Sequence, residues 1–133
     1  MDPKKSKSST SRIKIIQKLY NSLLNPEGKI EYQKSKYKKF IKDVVTGTLE
    51  RKEIIEEIIV SKLSNDINLK KTDKILKIII FAAIFELMFK HNNPKKVIIN
   101  EYLLASEHFL EKIQVGYLNA ILDKIAKELR KDE

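Results

Sequence analysis

The sequence predicts an all-α protein, a compact bundle of about six or seven helices arranged in two packed helical halves. The 133 residues include only three glycines and three prolines, which is little turn material for an all-β fold. Apolar residues recur at spacings of three and four along most of the chain, as they do on one face of an α-helix. Eight consecutive apolar residues, Ile78 to Phe85, indicate a central helix that is apolar on nearly every face.

The central helix is expected to begin near Thr72 or Asp73 and to end at about Phe89. It contains no glycine or proline and is too long for an ordinary strand. Its apolar run is far shorter than the roughly 18 to 20 residues that cross a bilayer. We therefore expect no membrane span, and the other helices of the chain should cover this one.

Glu86 lies within this helix, where a buried charge must be paired or hydrogen-bonded. One interpretation is an acid at a functional site or interface. The favoured interpretation is structural, with the carboxylate satisfied by a lysine or by backbone or hydroxyl donors of a neighbouring helix.

Apolar stripes predict the helices that precede the central one. Residues 1–11 carry no apolar side chain beyond the first methionine, so we expect a flexible basic tail there. The first helix follows and ends at the stop signal Asn-Pro-Glu-Gly, residues 25–28. From about Tyr32 to Leu63 the pattern is helical again, but its two stripes are out of phase, so we expect a break at Thr-Gly-Thr, residues 46–48.

A polar connector at residues 64–71 is expected to divide the chain in two. The predicted units are a single domain, 12–133, with an N-terminal half, 12–64, and a C-terminal half, 72–131. Pro94 fits the first turn of the next helix, and a final helix carries apolar residues as far as Leu129. Residues 127–133 should fray into solvent.

The charge balance is the first indication of function. A net charge of +9 favours a polyanionic partner, although a lysine-rich composition with an ordinary solvated surface would give the same balance. The absence of cysteine excludes disulfides, a thiolate nucleophile and a cysteine-based zinc site. The N-terminus lacks the apolar core of a signal peptide, so we expect a cytoplasmic protein.

Catalytic signals are missing from the sequence. The two histidines, His91 and His108, have no partners at metal-ligand spacing. Three glycines cannot build a glycine-rich phosphate loop, and no turn around His108 resembles the setting of a nucleophile. We expect no enzyme, no cofactor and no metal site.

Basic and aromatic residues fit RNA binding better. The candidate phosphate ligands of the N-terminal segment are Lys4, Lys5, Lys7 and Arg12. A second basic group lies at residues 34–42. Single-stranded RNA also needs aromatic platforms for its bases, and the candidates are Tyr20, Tyr37, Tyr102, Phe109 and Tyr117. An aromatic residue at helical spacing more often belongs to a core than to such a platform, so each position keeps that alternative.

The C-terminal half carries a recognisable set of motifs. Phe85-Glu86-Leu87, N-P-K-K-V-I-I-N-E at 93–101, Phe109, and Y-L-N-A-I-L-D-K at 117–124 resemble signatures of the NusB transcription antitermination family. The family patterns are Y-E-L, V-P-x-K-V-x-I-N-E, F and F-V-N-G-V-L-D-K, in the same order and spacing. Residues 12–20 are similar to the R-x-x-x-x-Q-x-L-Y pattern of the family's first helix.

The resemblance implies a NusB-like fold of two helical halves. It also implies binding of the boxA element of ribosomal RNA leaders together with NusE, a ribosomal protein, in the antitermination complex on RNA polymerase. The family's RNA face would include the N-terminal basic segment, Tyr20, Phe109 and Tyr117. The free protein is expected to be a monomer or a weak homodimer.

Several positions depart from the family pattern. The N-terminal segment uses lysine where the family uses arginine, which forms a bidentate fork that lysine cannot form. The other departures are Phe81 for a basic residue, Ile113 for an acidic one, Gln114 for serine and Ala120 for glycine. They leave open a second hypothesis, a helical protein-interaction module with weak or lost RNA binding. A third, the helical domain of certain ribosomal-RNA methyltransferases, would need a downstream cofactor-binding domain, which we do not expect.

Overall fold

The computed structural model describes the backbone of residues 7–133 and the side chains from Thr10 onward. This part of the chain forms six α-helices and no strand. They are α1 (Lys7–Leu24), α2 (Lys38–Glu50), α3 (Lys52–Leu63), α4 (Lys74–Phe89), α5 (Lys95–Ser106) and α6 (Lys112–Leu129). The predicted all-α class and the number of helices are confirmed. Among these helices, none combines the length and apolar character that a bilayer crossing requires.

The apolar helix α4 lies at the centre and contacts each of the other five helices. Every residue from Ile79 to Leu87 is buried, so the wrapping predicted from its composition is confirmed. Burial of each large apolar side chain contributes about 1.5–3 kcal/mol of hydrophobic stabilisation. The carboxylate of Asp73 accepts hydrogen bonds from the amides of Ile75 and Leu76, both at 3.1 Å, and so caps the helix at the expected residue.

One core runs through both predicted halves of the chain. Helix α1 packs on α2, and it also packs on α4 and α5 of the other half. The apolar face of α1 is therefore shared between neighbours from both sides of the connector. The division of the chain at residues 64–71 stays a prediction.

The first helix begins earlier than expected. Helix α1 starts at Lys7, inside the stretch 1–11 that was expected to form a tail, and Ser11 is buried. Residues 1–6 lie outside the described part of the chain. The backbone of residues 7–11 is therefore helical where a flexible tail was expected.

The two helices predicted between about Tyr32 and Leu63 are present, but the break between them lies at Arg51 and not at residues 46–48, since α2 continues to Glu50. Gly47 lies inside α2 and is buried, with the ring of Phe85 where a Cβ atom would stand. The glycine therefore permits close approach of α2 and α4 instead of interrupting the helix. The same helix begins at Lys38, several residues later than the expected start near Tyr32.

The C-terminus is anchored where fraying was expected. Helix α6 runs to Leu129, and Arg130 behind it is only 5% exposed. Its guanidinium donates hydrogen bonds to carbonyl oxygens at the end of α4 and in the following turn, those of Leu87 at 2.6 Å, Lys90 at 3.2 Å and Asn93 at 3.2 Å. The last carbonyls of a helix have no partner within it, so Arg130 caps α4 from outside.

Candidate nucleic-acid interface

Two of the predicted aromatic residues share one cavity. Tyr20 on α1 and Phe109, in the turn between α5 and α6, line a cavity of about 280 Å³ with Ile75 of α4. Both rings are half-buried. The backbone N–H of Phe109 donates to the Ser106 carbonyl at 2.9 Å, which fixes the turn at the end of α5. The folded chain therefore brings two aromatic side chains, distant in sequence, to the same cavity.

A basic cavity adjoins the aromatic one. Lys14, Lys18 and Lys38 line a smaller cavity of about 120 Å³. Gln17 and Lys18 are common to this cavity and the aromatic one. No carboxylate lines either cavity among the residues that the structure describes. We call the surface formed by both cavities the α1 surface, because its shared residues lie on that helix. It combines aromatic rings, amides and ammonium groups within one continuous area.

Tyr117 lies elsewhere, on α6, where its side chain is 39% exposed. Its hydroxyl donates to the backbone carbonyl of Asp66 at 2.5 Å, and Lys124 pairs with the Asp66 carboxylate at 2.6 Å. Burial and the nearby Asp66 raise the pKa of Tyr117. These contacts tie α6 to the loop between α3 and α4, and Tyr117 does not line the cavity of Tyr20 and Phe109.

Arg12, which was predicted to contact RNA, is buried and lines neither cavity of the α1 surface. It is 3% exposed and makes a bidentate ion pair with Glu86, from Nε to Oε2 at 3.1 Å and from Nη2 to Oε1 at 2.5 Å. The Tyr102 hydroxyl donates a further hydrogen bond to Oε2 of the same carboxylate. The physical reason is that α4 buries Glu86 completely, and a buried carboxylate must be paired or hydrogen-bonded.

The structural interpretation of Glu86 is thus confirmed, with an arginine in place of the expected lysine and a hydroxyl from a neighbouring helix. Burial raises the pKa of Tyr102 well above its usual value, and the Glu86 carboxylate adds to the effect. The phenol stays protonated and can donate its hydrogen bond. The Arg12 guanidinium also lies 4.8 Å from the centre of the Phe40 ring, so one side chain joins α1, α2, α4 and α5.

The other predicted contacts are placed as follows. Lys4 and Lys5 lie outside the described residues, and Lys7 begins α1 but its side chain is not described. Gln114 belongs to the capping box of α6, where its Oε1 accepts from the Glu111 amide at 3.1 Å. Ile113 is 86% exposed, whereas Phe81 is buried. The departures from the family pattern therefore have local structural roles or stay on the surface.

The residues missed by sequence analysis are Lys14 and Lys18 of the α1 surface and Tyr102 as a partner of Glu86. No local sequence pattern marks these residues, because their contacts arise only when the helices pack together. Within the described residues, no group of three or more His, Cys, Asp or Glu side chains is arranged to hold a metal ion. The arrangement offers stacking, amide hydrogen bonding and cationic contacts.

Fold and surface together define an all-α protein built around one apolar helix, and comparisons with known proteins specify the family. The sequence model of the NusB family matches residues 5–127, nearly the whole chain. The chain belongs to the NusB family.

Curated relatives support this assignment. The transcription antitermination protein NusB of Nitrobacter hamburgensis is 35% identical over 94 residues, which cover 71% of this chain and 59% of the relative. The NusB protein of Rhodopseudomonas palustris is 33% identical, with 71% and 56% covered. That of Caulobacter vibrioides is 32% identical, with 68% and 61% covered. The matched region thus spans less than two-thirds of the length of each relative.

A solved structure of T. maritima NusB has the same fold. The two structures superpose with a TM-score of 0.79 over 91% of each chain, at 21% sequence identity. The arrangement of helices is therefore retained although most side chains differ. The NusB-like fold expected from the motifs is confirmed.

Proposed function

We propose that this protein is a transcription antitermination factor that binds single-stranded, boxA-like RNA of ribosomal RNA leaders together with the ribosomal protein NusE. It would act in the cytoplasm, within the antitermination complex on RNA polymerase, and catalyse no reaction. Membership of the NusB family supports the antitermination role. The observation that carries RNA binding is the shared cavity of Tyr20 and Phe109 beside Lys18.

Aromatic and basic side chains have different roles at the α1 surface in this proposal. A base that stacks on an aromatic side chain gains about 1–3 kcal/mol, and two rings in one cavity offer such a platform. The amides of Gln17 and Asn21, which line the same cavity, can hydrogen-bond to base edges. Lys14 and Lys18 would hold the phosphates, which position the strand without specifying its sequence.

The remaining predicted residues take different parts in this proposal. Tyr117 would serve as a separate platform, since its ring is partly exposed and its hydroxyl is held by Asp66. Lys4, Lys5 and Lys7 would add phosphate contacts at the start of α1. Arg12 would act only by fixing the position of that helix.

A protein-interaction module with weak RNA binding is the second candidate. It is favoured by exposed apolar side chains on α5 and α6, of which Ile113 is 86% exposed and Leu104 39%. Such residues suit contact with a protein partner. Co-purification with NusE and no salt-sensitive binding of RNA would support this candidate.

Tyr20→Ala should weaken binding of a boxA-like RNA by about 5- to 150-fold, because one stacked base is lost. An unrelated RNA of equal length should lose much less, since its phosphate contacts remain. Fluorescence anisotropy with both RNAs measures the difference. Phe89→Ala is the matched control, because the Phe89 ring is 41% exposed but lines neither cavity of the α1 surface. Equal losses for both RNAs would reject base stacking at Tyr20.

Replacement of Lys14, Lys18 and Lys38 by glutamine should weaken binding of all RNAs and flatten its salt dependence. The loss of three phosphate contacts should reduce the slope of log affinity against log salt by about 2 for a single strand. A matched control replaces three lysines of another surface, Lys52, Lys74 and Lys77, and makes the same change in net charge. A similar reduction of the slope in both triple variants would show that the effect comes from net charge and not from the α1 surface.

A further inference from the structure

A third cavity lies away from the α1 surface, between the end of α1, the end of α2 and the first half of α4. Its volume is about 390 Å³, and it shares no lining residue with either cavity of the α1 surface. We call it the apolar groove. Its apolar side chains are Leu19, Leu23, Pro26, Leu49, Ile78 and Phe81. Volumes of 300–1,000 Å³ and a mainly apolar lining are typical of small-molecule sites.

An unpartnered hydroxyl lies in the wall of this groove. Thr48 is 4% exposed, and its Oγ1 has no hydrogen-bond partner. A buried polar atom without a partner is costly, and native proteins contain few of them. The hydroxyl can be satisfied by a ligand atom that enters the groove.

Positive charge surrounds the same groove. The lining includes Lys52, Lys74 and Lys77, and none of the three forms an ion pair within the described part of the chain. No carboxylate is among the described lining residues. Lys52 is the first residue of α3, just beyond the bend at Arg51, and it lines the same groove as Thr48 at the end of α2. An apolar surface with cations and one free hydroxyl is complementary to an amphipathic anion.

We propose that the apolar groove binds a small amphipathic carboxylate. The carboxylate accepts a hydrogen bond from the Thr48 hydroxyl and pairs with Lys52, while the apolar body lies against Leu19, Ile78 and Phe81. At the roughly 30 Å³ that one water molecule occupies in the liquid, the volume matches about a dozen non-hydrogen atoms. A ten-carbon fatty acid has this size. The site is independent of the proposed RNA function.

Titration with decanoate tests the proposal on the full chain. Calorimetry should give saturable one-to-one binding, and amide resonances of Thr48, Leu49 and Lys52 should shift in ¹H–¹⁵N spectra. Decyltrimethylammonium carries the same chain with the opposite charge, and the lysines should make its binding at least about tenfold weaker. Acetate, which lacks the apolar body, should not bind.

Two variants separate ligand binding from fold stability. Thr48→Val should lower decanoate affinity about fivefold. It should leave the melting temperature unchanged or raise it, because it removes an unpaired buried hydroxyl. Leu49→Glu should abolish decanoate binding by placing a negative charge at the groove. The matched control is Leu104→Glu on α5, since both leucines are about two-fifths exposed, at 42% and 39%.

Absence of decanoate binding below its micelle concentration would overturn the proposal. Equal affinity for decyltrimethylammonium, or affinity unchanged by both Thr48→Val and Leu49→Glu, would also overturn it. An acidic amphipathic peptide that shifts the same resonances when decanoate does not would assign the groove to a protein segment instead. Leu49→Glu should leave RNA binding intact, so failure here and failure of the RNA proposal are distinguishable.

Discussion

Arg12→Ala should lower the free energy of unfolding by about 3–5 kcal/mol. The substitution leaves the Glu86 carboxylate, which is fully buried, with the Tyr102 hydroxyl but without its cationic partner. It also removes the guanidinium from the Phe40 ring. Urea unfolding followed by circular dichroism measures the loss. A variant that loses less than about 1 kcal/mol would show that Arg12 is not held in the buried pair, since only exposed pairs contribute so little.

Two further variants test the cause of this loss. Lys124→Ala removes an ion pair of similar length, with Asp66 at 2.6 Å, but both of its partners are partly exposed. Its effect should be about 0–1 kcal/mol. Arg12→Met combined with Glu86→Leu removes both charges, and replacement of a whole buried pair by apolar residues is often neutral or stabilising. The double variant should therefore be more stable than Arg12→Ala alone.

Arg130→Ala should lower the free energy of unfolding by about 2–4 kcal/mol, because several buried or partly buried carbonyl oxygens lose a charged donor. The affected carbonyls of Leu87, Lys90 and Asn93 lie at the C-terminal end of α4 and just beyond it. Thermal unfolding measures the effect. Arg130→Lys should recover only part of the stability, since one ammonium cannot reach all the carbonyls that the planar guanidinium spans.

Lys131→Ala is the matched control for Arg130. Lys131 is the next residue in the chain and is exposed, so its loss should change stability by no more than about 0.5 kcal/mol. If Arg130→Ala behaved like this control, the C-terminal residues would fray into solvent as the sequence pattern predicts.

Local signals predicted the helices well, and the central helix best. The start of the central helix was expected near Thr72 or Asp73, and Asp73 caps it through amides only two and three positions away. The burial of α4 followed from its composition alone. Gly47 was misinterpreted because its neighbour is the ring of Phe85, which lies on another helix and far away in the sequence. A glycine that permits close packing and one that interrupts a helix look alike in a single sequence.

The same distinction explains the outcome for charged residues. The sequence indicated that Glu86 needs a partner, but its partner Arg12 lies 74 positions away and was assigned to the RNA face instead. Arg130 was placed in a frayed end, since no local pattern shows that its guanidinium reaches the end of α4. A long charged side chain can lie in solvent or pair inside the protein, and only the tertiary fold determines which of the two occurs.

The candidate interface was predicted in part. Tyr20 and Phe109 were chosen from residue type and family resemblance, and they lie in one cavity. Lys18 lies one helical turn after Lys14 and lines the cavity of Tyr20. No sequence motif marks it. Thr48 gave no signal at all in the sequence, because an unsatisfied hydroxyl exists only once its surroundings are known.

Arg12 precedes Tyr20 by eight positions on one rigid helix, an axial separation of about 12 Å. The Arg12–Glu86 ion pair fixes the rotation of α1 about its axis. It therefore also fixes the direction in which the Tyr20 ring points. A substitution in the buried core can in this way turn the Tyr20 ring, the proposed stacking platform, without touching it.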